Sequence, residues 1–282
     1  MMEQMQLDLD SEFLVIQDNA MVMGNYDMTS LEQKLFLILV STIKQDDTSV
    51  KQTKFRVKDI ASLMDVTADN LYRELPKTCK SLIEKVIEIK QSNGSWEMFN
   101  LITYAQYKKG EGTITLEINK KAEPYLFRLK ELFTSFKLEN ALFLSGKYSI
   151  RIYQLCKSCL FKKELVIELE DLKKSLKLNQ KSYNRFNTLS ERVIIPAIKE
   201  INEKTDIKIS VDNIKSGRNV IALKFNISRN NRKRDIIIRQ QKNSKNKSTS
   251  KFNNFPSREY DYDKLEAGLL GYEEVSTGDV TK

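Results

Sequence analysis

The chain has 282 residues and a formal net charge of +9, from 47 Lys and Arg against 38 Asp and Glu, and it contains no histidine. Without an imidazole there is no serine–histidine or cysteine–histidine nucleophile pair and no histidine-ligated metal centre. We therefore expect a folded protein that acts by binding and has no enzyme activity.

Length and cysteine content predict the organisation and the compartment. At about 150 residues per domain, the chain corresponds to two domains. The three cysteines, Cys79, Cys156 and Cys159, form no even disulfide set, and no apolar run reaches the roughly 18 residues of a membrane span. The first residues lack a signal-peptide pattern. We expect a cytoplasmic protein without membrane association, metal or cofactor, in which Cys156 and Cys159 are structural.

Charge is distributed unevenly along the chain. Residues 1–30 contain six acidic and no basic residues and are predicted to form an acidic N-terminal arm, whereas 31–228 form a basic body. Residues 229–251 contain nine basic residues and one acidic residue, and residues 252–282 contain seven acidic and three basic ones. The polar composition of 229–282 predicts a disordered tail. This pattern is typical of nucleic-acid binders, although a surface tuned for solubility would have the same charge.

Hydrophobic periodicity divides the first half of the body, residues 31–132, into helices and strands. An amphipathic helix is predicted with Ser30 as its N-cap, and Pro76 should kink the helix Ala68–Lys85 or move its start later. The other predicted elements are a strand at Lys54–Val57, a helix at Lys58–Met64, a turn at Asp65–Thr67, and strands at Val86–Lys90, Trp96–Tyr107 and Gly112–Ile118.

The second half, residues 133–228, repeats this order. Its predicted elements are helices at Ser145–Leu160, Glu170–Leu176 and Tyr183–Lys204, a turn at Lys177–Lys181, and strands at Leu165–Leu169, Ile207–Val211 and Val220–Ile227, the last two joined by a hairpin turn at Lys215–Gly217. Helix, strand, helix, turn, helix and hairpin is the order of a winged helix-turn-helix. The sequence therefore predicts an α+β protein with two tandem winged-helix domains and a disordered C-terminal tail.

Three segments of the second half carry a family resemblance: Ser145–Leu155 (SGKYSIRIYQL), Tyr183–Asn187 (YNRFN) and Arg192–Asp206 (RVIIPAIKEINEKTD). They resemble the iteron-binding plasmid replication initiators of the Rep 3 superfamily, and the resemblance extends over about residues 13–228. It implies two winged-helix domains that bind repeated origin sequences of double-stranded DNA as a monomer, and a dimer that binds an operator. It also implies bacterial origin, origin opening, and recruitment of a host initiator and a replicative helicase.

Candidate DNA contacts of the second half lie around the predicted helix Tyr183–Lys204 and the following hairpin. Arginine can pair with guanine and asparagine with adenine, whereas Lys and Tyr before the helix suit phosphate contacts. A solvent-exposed polar face is the alternative interpretation. The candidate residues are Lys181, Tyr183, Asn184, Arg185, Thr188, Arg192, Lys215 and Arg218.

The corresponding residues of the first half are Asn70, Arg73, Lys77 and Lys80 on the helix Ala68–Lys85. Because this helix contains Pro76, we expect the first half to contact the DNA backbone and to mediate dimerisation more than to read bases. Two alternatives to an initiator remain at this stage. A rolling-circle nickase conflicts with the absence of histidine, and a winged-helix repressor without initiator activity shares every residue argument.

Overall fold

The computed structural model describes residues 13–44, 47–90, 94–129 and 132–230. The disordered tail predicted for 229–282 lies outside this range from residue 231 onward, and so does the part of the predicted acidic arm up to residue 12. Arg229 and Asn230 belong to the folded body, since Arg229 ends a strand and the Asn230 amide donates to the Asp206 carbonyl at 2.7 Å. The predicted start of the tail at residue 229 is therefore wrong.

The first half folds into short helices and antiparallel strands. Its helices are α1 (Asn19–Met23), α2 (Ser30–Ser41), α3 (Val57–Leu63) and α4 (Ala68–Ile83). Its strands are β1 (Leu14–Asp18), β2 (Thr53–Arg56), β3 (Val86–Lys90), β4 (Trp96–Asn100), β5 (Ile102–Lys108) and β6 (Thr113–Ile118). β6 lies between β2 and β5, and β3 pairs with β4 in a separate hairpin. The predicted strand Trp96–Tyr107 is thus two strands, which separate at the buried Leu101.

A 3₁₀ helix, Lys120–Tyr125, precedes the second half. Its elements are β7 (Phe133–Lys137), α5 (Leu138–Leu142), α6 (Lys147–Ser158), β8 (Glu164–Glu168), α7 (Leu169–Ser175), α8 (Phe186–Leu189), α9 (Ile195–Lys204), β9 (Ile207–Ser216) and β10 (Asn219–Arg229). β10 lies between β8 and β9. The buried apolar residues of both halves form a contiguous core, to which Phe36, Tyr153 and Phe225 contribute the largest side chains.

Much of the predicted N-terminal arm is part of the folded body. β1 pairs with β7 along its whole length, and the side chains of Val15, Met21 and Val22 are almost completely buried. The pairing joins a segment assigned to the arm with a segment assigned to the second half, so residues 13–30 are not a free arm. The division of the remaining chain at residues 132 and 133 stays a prediction.

Helix α2 begins differently from the prediction. Thr29, and not Ser30, is the N-cap: its hydroxyl accepts from the Glu32 amide, and the Glu32 carboxylate accepts from the Thr29 amide at 2.7 Å. This reciprocal capping box satisfies two helix-end donors. Thr29 and Ser30 both suit an N-cap and each is followed three residues later by a capping-box residue, Glu32 or Gln33, so the spacing alone does not choose between them.

In both helix-turn-helix units, the first helix is followed by a non-glycine residue in the left-handed conformation. In both, the first helix ends in a Schellman motif whose C′ residue has a positive φ, Asp65 at 52° and Lys177 at 50°. The Val66 amide donates to the Ala61 carbonyl, and the Leu178 amide donates to the Lys173 carbonyl. This left-handed position usually holds glycine. The turns predicted at Asp65–Thr67 and around Lys177 are therefore present.

Pro76 does not delay the start of α4. The helix runs from Ala68 to Ile83, with Pro76 inside it and with Leu71, Leu75, Cys79 and Leu82 buried on one face. The predicted later start is therefore wrong. Proline removes one amide donor, and burial of this apolar face outweighs the lost hydrogen bond.

The predicted helix Tyr183–Lys204 is divided. Lys181–Asn184 form a 3₁₀ turn, Arg185 has an extended backbone (φ −85°, ψ 116°), and α8 begins only at Phe186. A π-helical turn, Ser190–Ile194, then joins α8 to α9. We call residues 186–204 the reading helix, after the base-reading role that the sequence predicts for them. Because Arg185 precedes it and Asn184 lies in the 3₁₀ turn, the prediction that both are helical was wrong.

The π turn has an identifiable cause. Pro196 lies two residues after it and lacks the amide that an α-helix would bond to the Arg192 carbonyl. Ile194 is buried, and the other buried residues of the reading helix are spaced by four: Leu189, Val193, Ala197 and Ile201. Four residues exceed one α-helical turn of 3.6, so such a row would rotate away from the core. The wider turn keeps these side chains directed at the core.

Candidate nucleic-acid interface

The N-terminal end of the reading helix presents the polar residues that the sequence predicted as DNA contacts. Lys181, Asn184, Arg185 and Arg192 are exposed, and Thr188 is half-buried. Tyr183 is also half-buried and packs against the apolar core, which leaves it less available than predicted. The 3₁₀ turn and the first turns of the helix therefore bring these residues to one end, the end that enters the major groove in winged-helix proteins.

The second wing extends from this unit as the long hairpin β9–β10. Ser216 pairs with Asn219, so the loop consists of Gly217 and Arg218 alone. Gly217 has φ +60°, as the first position of a two-residue type II′ hairpin turn requires. Lys215 therefore lies in strand β9, opposite Val220, and not in the turn as predicted. Lys215 and Arg218 are both exposed near the tip.

The basic side chains of this second-half surface are available for a ligand. Within residues 13–44, 47–90, 94–129 and 132–230, none of them forms a hydrogen bond or an ion pair through its side chain. Phosphate contacts require exposed cations that are not already neutralised. The five cations of this set are Lys181, Arg185, Arg192, Lys215 and Arg218.

The first half places its candidate residues on the exposed face of α4. Asn70, Arg73, Lys77 and Lys80 are all exposed, and the Arg73 guanidinium donates a hydrogen bond to the Asn70 side-chain oxygen. This bond occupies one donor of Arg73 and the side-chain oxygen of Asn70, so neither of these groups is available to a base edge. Lys77 and Lys80 have no side-chain partner in the described part of the chain.

The first wing, which is the hairpin of strands β5 and β6, differs from the second in its charges. Glu111 accepts from Lys54 at 2.8 Å and from Lys108 at 3.1 Å, and these hydrogen bonds lower the pKa of its carboxyl group. An open cavity of about 450 Å³ lies beside this wing, between its turn and the start of α3, and is lined in part by Lys58, Tyr72 and Lys109. The wing therefore retains Lys109 as an unneutralised cation, while Lys54 and Lys108 are paired.

Two residues of the reading helix were not predicted to have a role. Ile195 is 55% exposed and follows Arg192 by three positions, so it extends the outward face. Glu200 is largely buried and faces the N-terminus of α6. The spacing of the buried residues does not by itself identify Ile195, since the neighbouring Ile194 is buried, and the contacts of Glu200 depend on residues about 55 positions away in the sequence.

The cysteines lie in the core. Cys79 and Cys156 are buried, and burial raises the pKa of the Cys79 thiol to about 11 and that of the Cys156 thiol further. Cys159 is half-buried. The described residues contain no group of three or more His, Cys, Asp or Glu side chains that could hold a metal ion. No helix in the same part of the chain has the length and apolar character of a membrane span.

Comparisons with known proteins agree with this architecture. Residues 14–157 match the family model described as "Initiator Replication protein, WH1", and residues 168–227 match "Initiator Rep protein, WH2". A replication initiation protein of Escherichia coli is 28% identical over 243 residues, 83% of this chain and 75% of its own length. The PI protein of Escherichia coli is 29% identical over 206 residues, 61% of this chain and 68% of its own length.

A solved structure has the same fold. The Pi initiator protein in complex with iteron DNA superposes with a TM-score of 0.64 at 23% identity, over 78% of this chain and 99% of its own chain. These matches confirm the two winged-helix domains and the family resemblance. Two family models together cover most of residues 14–227. The chain therefore belongs to the Initiator Replication protein family of plasmid replication initiators.

Proposed function

We propose that this protein initiates plasmid replication by binding repeated origin sequences, the iterons, as a monomer. The observation that carries the proposal is the set of five unneutralised cations at the N-terminal end of the reading helix and on the second wing. A two-domain relative of the same fold is described in complex with iteron DNA, which supports the choice of ligand.

Base recognition is assigned to the reading helix. Arg185 and Asn184 suit bidentate contacts to guanine and adenine, and Thr188 and Arg192 continue the same face. Ile195, exposed and apolar on this face, suits a thymine methyl group. The candidate base contacts then extend from Asn184 and Arg185, just before the reading helix, to Ile195 within it.

Backbone contacts are assigned to the remaining cations. Lys181 and Tyr183 suit phosphates beside the reading helix, and Lys215 and Arg218 suit phosphates beside the wing. In the first half, Lys77 and Lys80 suit the backbone, while the bonded pair Asn70 and Arg73 offers less for base reading. The first half also mediates a dimer that binds an operator and represses the protein's own gene.

Binding leads to replication without catalysis by this chain. We assign to the bound protein the opening of the origin and the recruitment of a host initiator and the replicative helicase, in the bacterial cytoplasm. The sequence contains no G-x-x-x-x-G-K phosphate loop and no histidine, so neither ATP hydrolysis nor histidine-metal nicking has a basis in its residues.

The test is replication of a plasmid that carries the repeats and the adjacent AT-rich DNA but no gene for this protein. Supplying the protein in trans should maintain the plasmid, and Arg185→Ala should abolish maintenance. Binding to the repeats without plasmid maintenance would identify a repressor instead. Cleavage of one origin strand by the purified protein with a divalent metal would identify a nickase.

A further inference from the structure

The reading helix is attached to α6 through a carboxylate. The Glu200 Oε1 atom accepts from the Ser145 amide at 2.7 Å, and its Oε2 atom accepts from the Gly146 amide at 3.2 Å. Lys204, on the same helix, donates to Oε1 at 2.8 Å, and the Ser149 hydroxyl also hydrogen-bonds to Glu200. Burial alone would raise the pKa of Glu200, but these bonds outweigh burial and lower the pKa to about 2. The carboxylate is therefore charged at every working pH.

This carboxylate contributes to the N-terminal cap of α6, since it accepts from the amide of the N-cap residue and from that of the residue before it. The N-cap residue of α6 is Gly146, which has no side chain to accept the free amides at the start of the helix. A Cβ atom at Gly146 would lie 2.7 Å from the Ser149 hydroxyl and 3.3 Å from Glu200 Oε2. The glycine thus gives the carboxylate access, and Glu200 supplies the anion that a helix N-terminus favours.

The contact joins the segments matched by the two family models, although both of its sides lie in the second half of the chain. Ser145, Gly146 and α6 belong to the segment matched by the first family model, and Glu200 belongs to the segment matched by the second. Helix α6 is in turn fixed to the first half: the buried Arg151 donates to the Tyr26 hydroxyl at 2.6 Å and to the Gly24 carbonyl at 2.8 Å. A chain of hydrogen bonds therefore runs from the N-terminal segment through α6 to the reading helix.

The C-terminal end of the reading helix has a second attachment to α6. Asp206 accepts from the Tyr153 hydroxyl at 2.9 Å and from Lys157 at 3.0 Å. Asp206 follows the last residue of the helix by two, beyond the extended backbone of Thr205. The buried side chains hold the reading helix on the core, and Glu200 adds a polar attachment that restrains its tilt. The exposed N-terminal end, which lies beyond Glu200, would move most on such a tilt.

We propose that Glu200 is a positioning residue for base reading, which caps α6 and thereby fixes the angle at which the reading helix meets DNA. The inference rests on the proposed function. Glu200 touches no base. Its effect is confined to contacts that need an exact placement of the helix, and phosphate contacts made by the flexible side chains of Lys215 and Arg218 do not depend on it.

The experiment compares Glu200→Gln with Glu203→Gln in the full-length protein. Glu203 lies on the same helix, is exposed and has no side-chain partner among the described residues, so its variant makes the same change of charge without touching the cap. Affinity is measured at one salt concentration for a duplex of one origin repeat and for a duplex of the same composition in scrambled order. Thermal unfolding of both variants is measured together with the affinities.

We expect Glu200→Gln to bind the repeat about 10-fold more weakly, because the amide cannot replace a charged acceptor of four donors, and to bind scrambled DNA as the wild type does. Glu203→Gln should match the wild type on the repeat. Equal losses on both duplexes, or full discrimination in folded Glu200→Gln, overturns the inference. Ser149→Ala, which removes one donor, should weaken binding to the repeat about 3-fold in the same selective way and replaces Glu200→Gln if that variant fails to fold.

The same data separate this inference from the proposed function. A wild-type protein that binds repeat and scrambled DNA equally overturns the proposed function and the inference with it. A wild-type protein that discriminates, together with a Glu200→Gln variant that discriminates as well, overturns the inference alone.

Discussion

The two wings of the molecule have similar sequence signals and different available charge. Each hairpin carries Lys residues near its tip, but Glu111 neutralises Lys54 and Lys108 in the first wing, while Lys215 and Arg218 of the second have no partner in the described part of the chain. Exposed ion pairs contribute little to stability, typically below about 1 kcal/mol. Their main consequence here is that they reduce the attraction of the first wing for phosphates.

The helices that follow the two turns also differ in the number of unpaired polar side chains, again in favour of the second half. In the first half four residues separate α3 from α4, and Arg73 is bonded to Asn70. In the second half a longer connection with a 3₁₀ turn brings Lys181 and Arg185 to the helix start, where no side chain engages them. The two halves therefore share a fold, and only the second combines an unpaired wing with an unpaired helix start.

The largest expected effect is the salt dependence of DNA binding. If about 6 to 10 cations contact phosphates, affinity should fall by about 10³ to 10⁵ between roughly 50 and 200 mM salt. Replacing Lys181, Lys215 and Arg218 together by Ala should reduce the slope of log affinity against log salt by about three. The matched change in the first half, Lys54→Ala with Lys108→Ala, should hardly alter the slope. Equal changes of slope from both sets would contradict the comparison.

The next effect concerns base reading. Arg185→Ala should lose about 1 to 3 kcal/mol on the cognate repeat and lose discrimination at one base pair, because a bidentate donor is removed. Affinities for the repeat and for single-base variants of it measure both quantities at one ionic strength.

Two control variants accompany Arg185→Ala. Lys215→Ala should weaken binding to cognate and scrambled DNA alike, as a phosphate contact does. Arg73→Ala tests the other half. If Arg73→Ala relaxes base preference and Arg185→Ala does not, the first half reads the bases and the assignment is reversed.

A smaller effect is expected from Ile195. Contact with a thymine methyl group should contribute about 0.8 kcal/mol, or about fourfold in affinity. The wild type should lose this factor when uracil replaces the contacted thymine, and Ile195→Ala should lose it on thymine DNA and ignore the replacement. Val166→Ala, at a residue 54% exposed on β8, is the matched control. Persisting sensitivity to uracil in Ile195→Ala would show that another residue contacts the methyl group.

The sequence predicted the repeated helix-turn-helix elements well, but it predicted no element where β1, α1, β7 and α5 lie. Periodicity located α3, α4, α6 and α7 to within three residues, because each buries one apolar stripe. It could not separate Tyr183–Asn184 from the reading helix, since their side chains suit a helix and the break lies in the backbone of Arg185. Pro196 was the available signal for the π turn.

The candidate site was predictable only in part. Exposed basic residues on a repeated helix-turn-helix pattern indicate where DNA binds, but the neutralisation of Lys108 by Glu111 and the capping of α6 by Glu200 depend on side-chain geometry. Glu200 lies 54 residues from Gly146, so no local spacing connects them. A count of charges along the sequence therefore overestimates the unpaired positive charge of the first wing.

The smallest effect compares the two turns. Lys177 and Asp65 occupy the same left-handed C′ position, and a non-glycine residue there is strained by about 1 to 2 kcal/mol, less for aspartate. Glycine relieves the strain but loses more backbone entropy on folding. We therefore expect Lys177→Gly to raise the free energy of unfolding by about 0.5 kcal/mol and Asp65→Gly to change it less, as measured by urea denaturation. Lys177→Asn, which tolerates this conformation, should stabilise in the same direction. Destabilisation by both Lys177 variants would show that the lysine side chain itself supports the second turn.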